Sequence, residues 1–204
     1  MSNPLSRAFR ALENFNFRLW TAGGLVSNIG TWMQRVAQDW IVLTQLTHHD
    51  ATAVGIVTGL QFAPQLLLLP WSGSAADRFN QRKLLMLTQA SMGALAVALG
   101  ILTVSGRVQL WHVYVFAFVF GAAAALDAPV RQTFVGELVG DEHLPNAVAL
   151  NSTSIFAGQM IGPVVAGLVI AKFGTGWAFQ IWFAIWFGGI LAFILYSLCK
   201  HGFK

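Results

Sequence analysis

HLPNAVALNSTSIFAGQMIGPVVAGLVIA, residues 143–171, contains no Asp, Glu, Lys or Arg. A helix crosses the hydrocarbon core of a bilayer with about 20 mostly apolar residues, so this stretch is long enough to span a membrane. Four more uncharged stretches of comparable length accompany it, at residues 51–76, 84–106, 108–126 and 173–199. A sixth, residues 19–46, is interrupted only by Arg35 and Asp39. Hydrocarbon offers no water to free backbone groups, so segments of this length and composition must be helices. The expected fold is an all-α membrane protein, a six-transmembrane-helix bundle with spans at about 19–46, 51–76, 84–106, 108–126, 146–171 and 175–199. Residues 1–18 are expected to form a cytoplasmic N-terminal segment and 200–204 a cytoplasmic tail.

Composition leads to the same solvent. Hydrophobic residues make up 56% of the 204 and charged residues 10%, with a mean hydropathy of +0.63; soluble domains carry about 25% charged residues. That is too little charge to coat a soluble surface, and the partner it implies is the lipid bilayer. Residues 2–18 carry three arginines and a glutamate without an apolar core, so no cleavable signal peptide is expected.

The charge that is present reads as topology. Arg7, Arg10, Arg18, Arg78, Arg82, Lys83, Arg131, Lys200 and Lys204 flank one side of the spans, against Arg107 and Lys172 on the other. This asymmetry predicts cytoplasmic N- and C-termini. The formal charge of +4 is spread over these flanks without interleaved aromatics, which argues against a nucleic-acid partner. The one cysteine, Cys199, offers neither an intramolecular disulfide nor a metal set. His48 and His49 are adjacent in a turn and diverge, a poor metal site. No motif calls for a cofactor.

Segment 19–46 carries the chemistry. At 100° per residue, Gly24, Ser27, Asn28, Thr31, Gln34, Arg35, Gln38 and Asp39 fall within an arc of about 140°, with Leu25, Val26, Ile29, Trp32, Met33, Val36 and Trp40 opposite. A polar stripe cannot face lipid. It must face partner helices or a water-filled cavity, and a cavity lining is the reading adopted for the stripe as a whole. Arg35 and Asp39, four apart, serve equally as a mutually neutralising structural pair or as functional ionisable groups. The second span adds Gln61 and Gln65 on one face around Pro64, with Pro70 further on. Proline frees backbone groups in a membrane helix, leaving either a static kink or a bending point.

Between the second and third spans lies Gly73-Ser74-Ala75-Ala76-Asp77-Arg78-Phe79-Asn80-Gln81-Arg82-Lys83. Its Gly73, Asp77, Arg78, Arg82 and Lys83 resemble the loop motif of major facilitator transporters; Asn80 stands in place of the second glycine and Gln81 interrupts the basic run. After the fourth span, Asp127 and Arg131 resemble the acid and base that such proteins place beside this loop. Together these residues imply a charge cluster at the cytoplasmic rim that is made and broken as helices rock. In the fifth span, Gly158, Gly162, Pro163 and Gly167 are similar to the antiporter motif of the same superfamily. The small residues 158, 162 and 166 make a face for close helix packing, and this motif in fifth place implies export. Residues 111–126 are uncharged, so the arginine often found inside the fourth span is absent and no proton-relay role carries over to that helix.

Residues 28–34, Asn-Ile-Gly-Thr-Trp-Met-Gln, and residues 144–151, Leu-Pro-Asn-Ala-Val-Ala-Leu-Asn, are similar to the enterobactin-exporter or transmembrane secretion effector branch. The resemblance runs from about residue 15 to the end of the sixth span. It implies the N-terminal six-helix half of a proton-coupled exporter of a small molecule, a siderophore or a drug, in the bacterial inner membrane. Transporters of this superfamily have two such halves, so the missing C-terminal six-helix half or a second copy is the expected partner. The chain stops at His201-Gly202-Phe203-Lys204, where a linker to a seventh helix would begin, and is therefore expected to be a fragment. Two other classes compete: a non-transporting six-helix subunit or scaffold, and an intramembrane enzyme. The enzyme needs a nucleophile with a base in reach, whereas His48, His49, His112, His143 and His201 all fall in loops or at helix ends.

Overall fold

Long apolar runs punctuated by short polar turns become long helices and tight corners. The computed structural model describes residues 10–181 apart from 14, 79 and 140–143. After a short 3-10 turn at Arg10–Glu13, the helices are α1 (Phe15–Ile41), α2 (Ala51–Arg78), α3 (Gln81–Val104), α4 (Leu110–Val139) and α5 (Leu144–Phe173). A sixth, α6, is described over residues 175–181. No strand occurs among the described residues. The bulk of the sixth predicted span, the first nine residues and the tail 200–204 lie outside them.

The corners follow from local chemistry. Gly106 (φ 66°) and Gly174 (φ 85°) take left-handed conformations that only glycine adopts without steric cost. At the α1–α2 corner His49 takes the same region (φ 63°). The Asp50 carboxylate there accepts from the Thr52 backbone N–H at 2.8 Å, capping α2. Asn80 caps α3, its side-chain oxygen accepting from the Lys83 N–H at 3.2 Å. This gives a reason for asparagine at the position where the transporter loop has its second glycine.

Among the described residues four helices are long and apolar enough to cross a membrane, over Ala51–Leu68, Gln81–Val104, Leu110–Gly136 and Leu144–Phe173. The first helix is less apolar because of its polar stripe. Its 27 residues nonetheless reach roughly 40 Å, enough to span. A wider π turn, Val42–Leu46, continues it to the corner. The fourth helix extends beyond the predicted span end at 126: α4 passes through Pro129 and continues to Val139. Asp127 and Arg131 are therefore one turn apart inside a continuing helix. Their charges are met by each other and by neighbours, so nothing local stops the helix.

Successive helices run antiparallel, yet the two closest pairs are not sequence neighbours. The helix α1 lies along α5 and α2 lies along α4, with α3 packed on α4. Both close pairs are parallel. Met33, Ala37 and Ile41 of α1, Val57 of α2, Met92 and Ala96 of α3, Phe120 of α4 and Ala166 of α5 meet in one buried apolar cluster. Large apolar side chains such as Leu66, Trp71, Phe156, Met160 and Leu168 cover the outside, as a bilayer solvent requires.

Candidate functional site

Close approach of α5 to α1 sets the site's scaffold. A Cβ on Gly158 would lie 2.6 Å from the Asn28 Cβ, and one on Gly162 would lie 2.6 Å from the Trp32 Cβ and 2.9 Å from the Ile29 carbonyl oxygen. Backbone therefore meets backbone. Ala166, fully buried, continues the face. Gly167 does not: a Cβ there would meet nothing within 4 Å. It sits about 140° around the helix from Gly162, so the packing face is 158, 162 and 166, and Gly167, part of the motif resemblance, lies off it. Pro163 is half-buried beside this face. The other parallel pair repeats the device, since a Cβ on Gly121 of α4 would meet the Gln61 carbonyl oxygen of α2 at 2.5 Å.

At the end of the bundle where α3 begins, Asp127 and Arg131 form an ion pair, Nε to Oδ2 at 2.9 Å. The other Asp127 oxygen accepts from the Thr88 hydroxyl at 2.7 Å and the Gln89 amide at 2.9 Å. Arg131 Nη2 also donates to Ser27 Oγ at 3.3 Å, and its guanidinium lies 5.8 Å from the Trp20 ring centre. Ser27 Oγ in turn donates to the Gln89 carbonyl at 3.4 Å. Three helices are thus tied together through buried polar groups that all find partners. Arg82 and Lys83 stay exposed on the first turn of α3, outside this network. Gly73, Asp77 and Arg78 lie on the last turns of α2, and the arrangement of their side chains lies outside the described residues.

Midway along α1, the Asn28 amide donates to Ser154 Oγ of α5 at 3.3 Å. The Thr31 hydroxyl donates back to the Ser27 carbonyl of its own helix at 2.9 Å. Beyond them lies a second polar group. Gln61 Nε2 donates to Gln38 Oε1 at 2.9 Å and, at 3.5 Å, to Asp39 Oδ1. Gln65, a turn further along α2, is half-buried and takes no part in either group.

Spacing alone leaves Arg35 and Asp39 free to pair. Among the described residues the only ion pair is Asp127–Arg131, and Arg35 turns instead to aromatic rings. Its guanidinium carbon lies 4.3 Å from the centre of Phe62, and 5.6 Å from those of Trp32 and Phe120. Most of the stripe is enclosed by partner helices: Gln34, Arg35 and Gln38 are at most 5% exposed, while Asn28, Thr31 and Asp39 are half-buried.

The ring cage and the Thr88–Gln89 contact were not among the residues singled out from sequence. Adjacent polar residues, Thr88 and Gln89, in a largely apolar third span are a readable signal. Phe62 and Phe120 gave none, because aromatic residues are ordinary in apolar spans.

Parallel helix pairs in close backbone contact, with ionic side chains held between them, define a multi-pass helical membrane protein with a polar interior. The chain belongs to the transmembrane secretion effector family of the major facilitator superfamily, which it matches over residues 6–200. It is 31% identical over 146 residues to the staphyloferrin A transporter of Staphylococcus aureus, covering 71% of this chain and 36% of that protein. It is 26% identical over 203 residues to the MFS-type transporter YfiS of Bacillus subtilis, covering 100% of this chain and 46% of that protein. With the enterobactin exporter EntS of Shigella flexneri it shares 25% identity over 140 residues, 69% of this chain and 34% of the exporter. The chain thus spans less than half the length of these curated relatives.

Proposed function

We propose that this chain is one six-helix half of a proton-coupled exporter of small molecules, siderophores or drug-like compounds, in the bacterial inner membrane. The observation that carries the reading is the polar interior face of α1. Gln34, Arg35, Gln38 and Asp39 occupy one stretch of a membrane helix, and ionisable groups at such depth are costly unless a function retains them. Family membership and the siderophore-related names of two relatives support transport. The substrate site of such proteins lies between two halves, so this half works with a C-terminal six-helix half or with a second copy of itself. In this reading the α1–α5 and α2–α4 pairs move as stiff units, and the Asp127–Arg131 cluster holds their inner ends together.

Transport is tested by reconstituting the protein, alone and with a co-expressed C-terminal six-helix half from a relative, into liposomes carrying a pH-sensitive dye. Compound-dependent proton movement down an imposed gradient is the expected result. Proton movement absent from every assembly would leave the non-transporting subunit as the better reading.

Topology is a separate expectation. Reporter fusions at His49, Arg107 and Gly174 should report the outer side, and fusions at Arg82 and Lys204 the cytoplasm, following the basic-residue asymmetry. Reversal at any two sites would overturn the orientation.

A further inference from the structure

We propose that Gln34, Arg35 and Gln38 form a binding site for an anionic oxygen group, such as a carboxylate, of a small-molecule substrate. The proposal deepens the transport reading and rests on it for the word substrate. Five buried side-chain polar atoms among the described residues have no hydrogen-bond partner, and four belong to this one turn of α1: Gln34 Nε2 and Oε1, Arg35 Nη1 and Gln38 Nε2. Elsewhere in the bundle the buried Ser27, Gln61, Thr88, Gln89, Asp127 and Ser154 all have partners. The unmet capacity is therefore local.

Its chemistry is one-sided. Three of the four atoms are donors, one of them on a guanidinium, and a single one accepts. Residues three and four apart on a helix have Cβ atoms about 5–6 Å from each other, so one group can engage Arg35, Gln38 and Gln34 together. A carboxylate or phosphate oxygen cluster accepts several such bonds and supplies the opposite charge. Asp39 attracts Arg35 only across space: its hydrogen bond runs to Gln61, and Arg35 Nη1 is left without an acceptor. The rings of Trp32, Phe62 and Phe120 surround the cation without offering an acceptor of comparable strength.

Access is through Phe62. Phe120 is fully buried, but Phe62 is 36% exposed and is the ring nearest the guanidinium. A change of its side-chain rotamer uncovers Arg35 from outside the bundle. The Trp32 ring, 6.5 Å from that of Phe62, flanks the same guanidinium.

The test is calorimetric titration of the purified chain in nanodiscs of zwitterionic phosphatidylcholine, with citrate and inorganic phosphate as probes and triethyl citrate as the uncharged control. Saturable binding of the anions and none of the ester is expected. Arg35→Gln and Gln34→Leu should each weaken binding roughly ten- to a hundredfold, the loss of a hydrogen bond to a charged group. Gln34→Leu also removes an unpaired buried amide, so it should raise the melting temperature of the unliganded protein, and weaker binding by that variant cannot be ascribed to unfolding. Absence of saturable anion binding, or unchanged affinity in Gln34→Leu, overturns the site even where Arg35→Gln fails to fold. Competition by added phosphatidylglycerol that eliminates citrate binding would assign the site to a lipid headgroup and overturn the substrate assignment. No gradient is involved. Transport of cationic or neutral compounds without anion binding would remove this site and leave the transport reading, whereas anion binding without transport would do the reverse.

Discussion

Gly162→Leu, and equally Gly158→Leu, should abolish accumulation of folded protein. At both positions even a Cβ would fall 2.6 Å from a side-chain Cβ of α1, and backbone atoms of α1 lie within about half an ångström beyond it. Neither neighbour is the far end of a flexible chain that could swing aside. Leucine therefore forces the α1–α5 pair apart along its contact. Helix association in a membrane is carried by close van der Waals packing, without a hydrophobic drive between helices, so lost contact is not compensated. Gly162→Ala is the milder version, an overpacking of about 1–3 kcal/mol, and should lower the melting temperature while leaving a folded species. Gly167→Ala should be neutral or slightly stabilising, because its Cβ enters open space and alanine is the better helix former. Size-exclusion profiles and thermal melts of detergent-solubilised variants check all four changes. A monodisperse Gly162→Leu protein with an unaltered melt would refute the close-contact account.

The sequence features that foretell the fold are those in which one residue's environment is decided by its own helix. Uncharged runs longer than a bilayer is thick can only be helices in lipid, and α2, α3, α4 and α5 all begin within a few residues of the expected spans, though α4 runs well past its expected end. The 3.6-residue period marks the α1 stripe, and the spacing of four marks Gly158, Gly162 and Ala166. What sequence does not carry is which helix each face meets. Parallel pairing of α1 with α5 and α2 with α4 is tertiary, and exchanging helices one to three with four to six maps one pair onto the other, as expected of the inverted repeats within a major facilitator half.

Residues that depend on such pairing escape a reading of single helices. Gly121 has small neighbours at the same spacing of four, Ala117 and Ala125, but the spacing does not say which helix that face meets; it bears on the Gln61 backbone because α2 crosses there. Arg35 and Asp39 have the spacing of an ion pair, and α2 disrupts it by presenting Phe62 to the arginine and Gln61 to the aspartate. Asp127 and Arg131 have the same spacing and do pair, because what α3 and α1 present to them, Thr88, Gln89 and Ser27, completes the ion pair and does not compete with it.

That contrast sharpens the expectation for Asp39. Asp39→Asn should abolish proton-driven transport in a competent assembly while expression, membrane insertion and melting behaviour stay close to the parent. The change is nearly isosteric, and the asparagine carbonyl can still accept from Gln61 Nε2. Arg35 keeps its three rings and loses only the attraction of Asp39 across space, with which it forms no ion pair. What is lost is the capacity to bind and release a proton, which an amide lacks and a carboxylate beside an alternating cavity provides. If Asp39 served only to neutralise Arg35, the single change would strand a buried cation and cost about 3–5 kcal/mol, and Arg35→Gln combined with Asp39→Asn would restore both folding and transport. The ring contacts of Arg35 argue for the opposite: a stable single variant without coupling, and a double variant that stays inactive. Proton flux normalised to folded protein decides between the two, and full transport by the double variant would remove Asp39 from the coupling pathway.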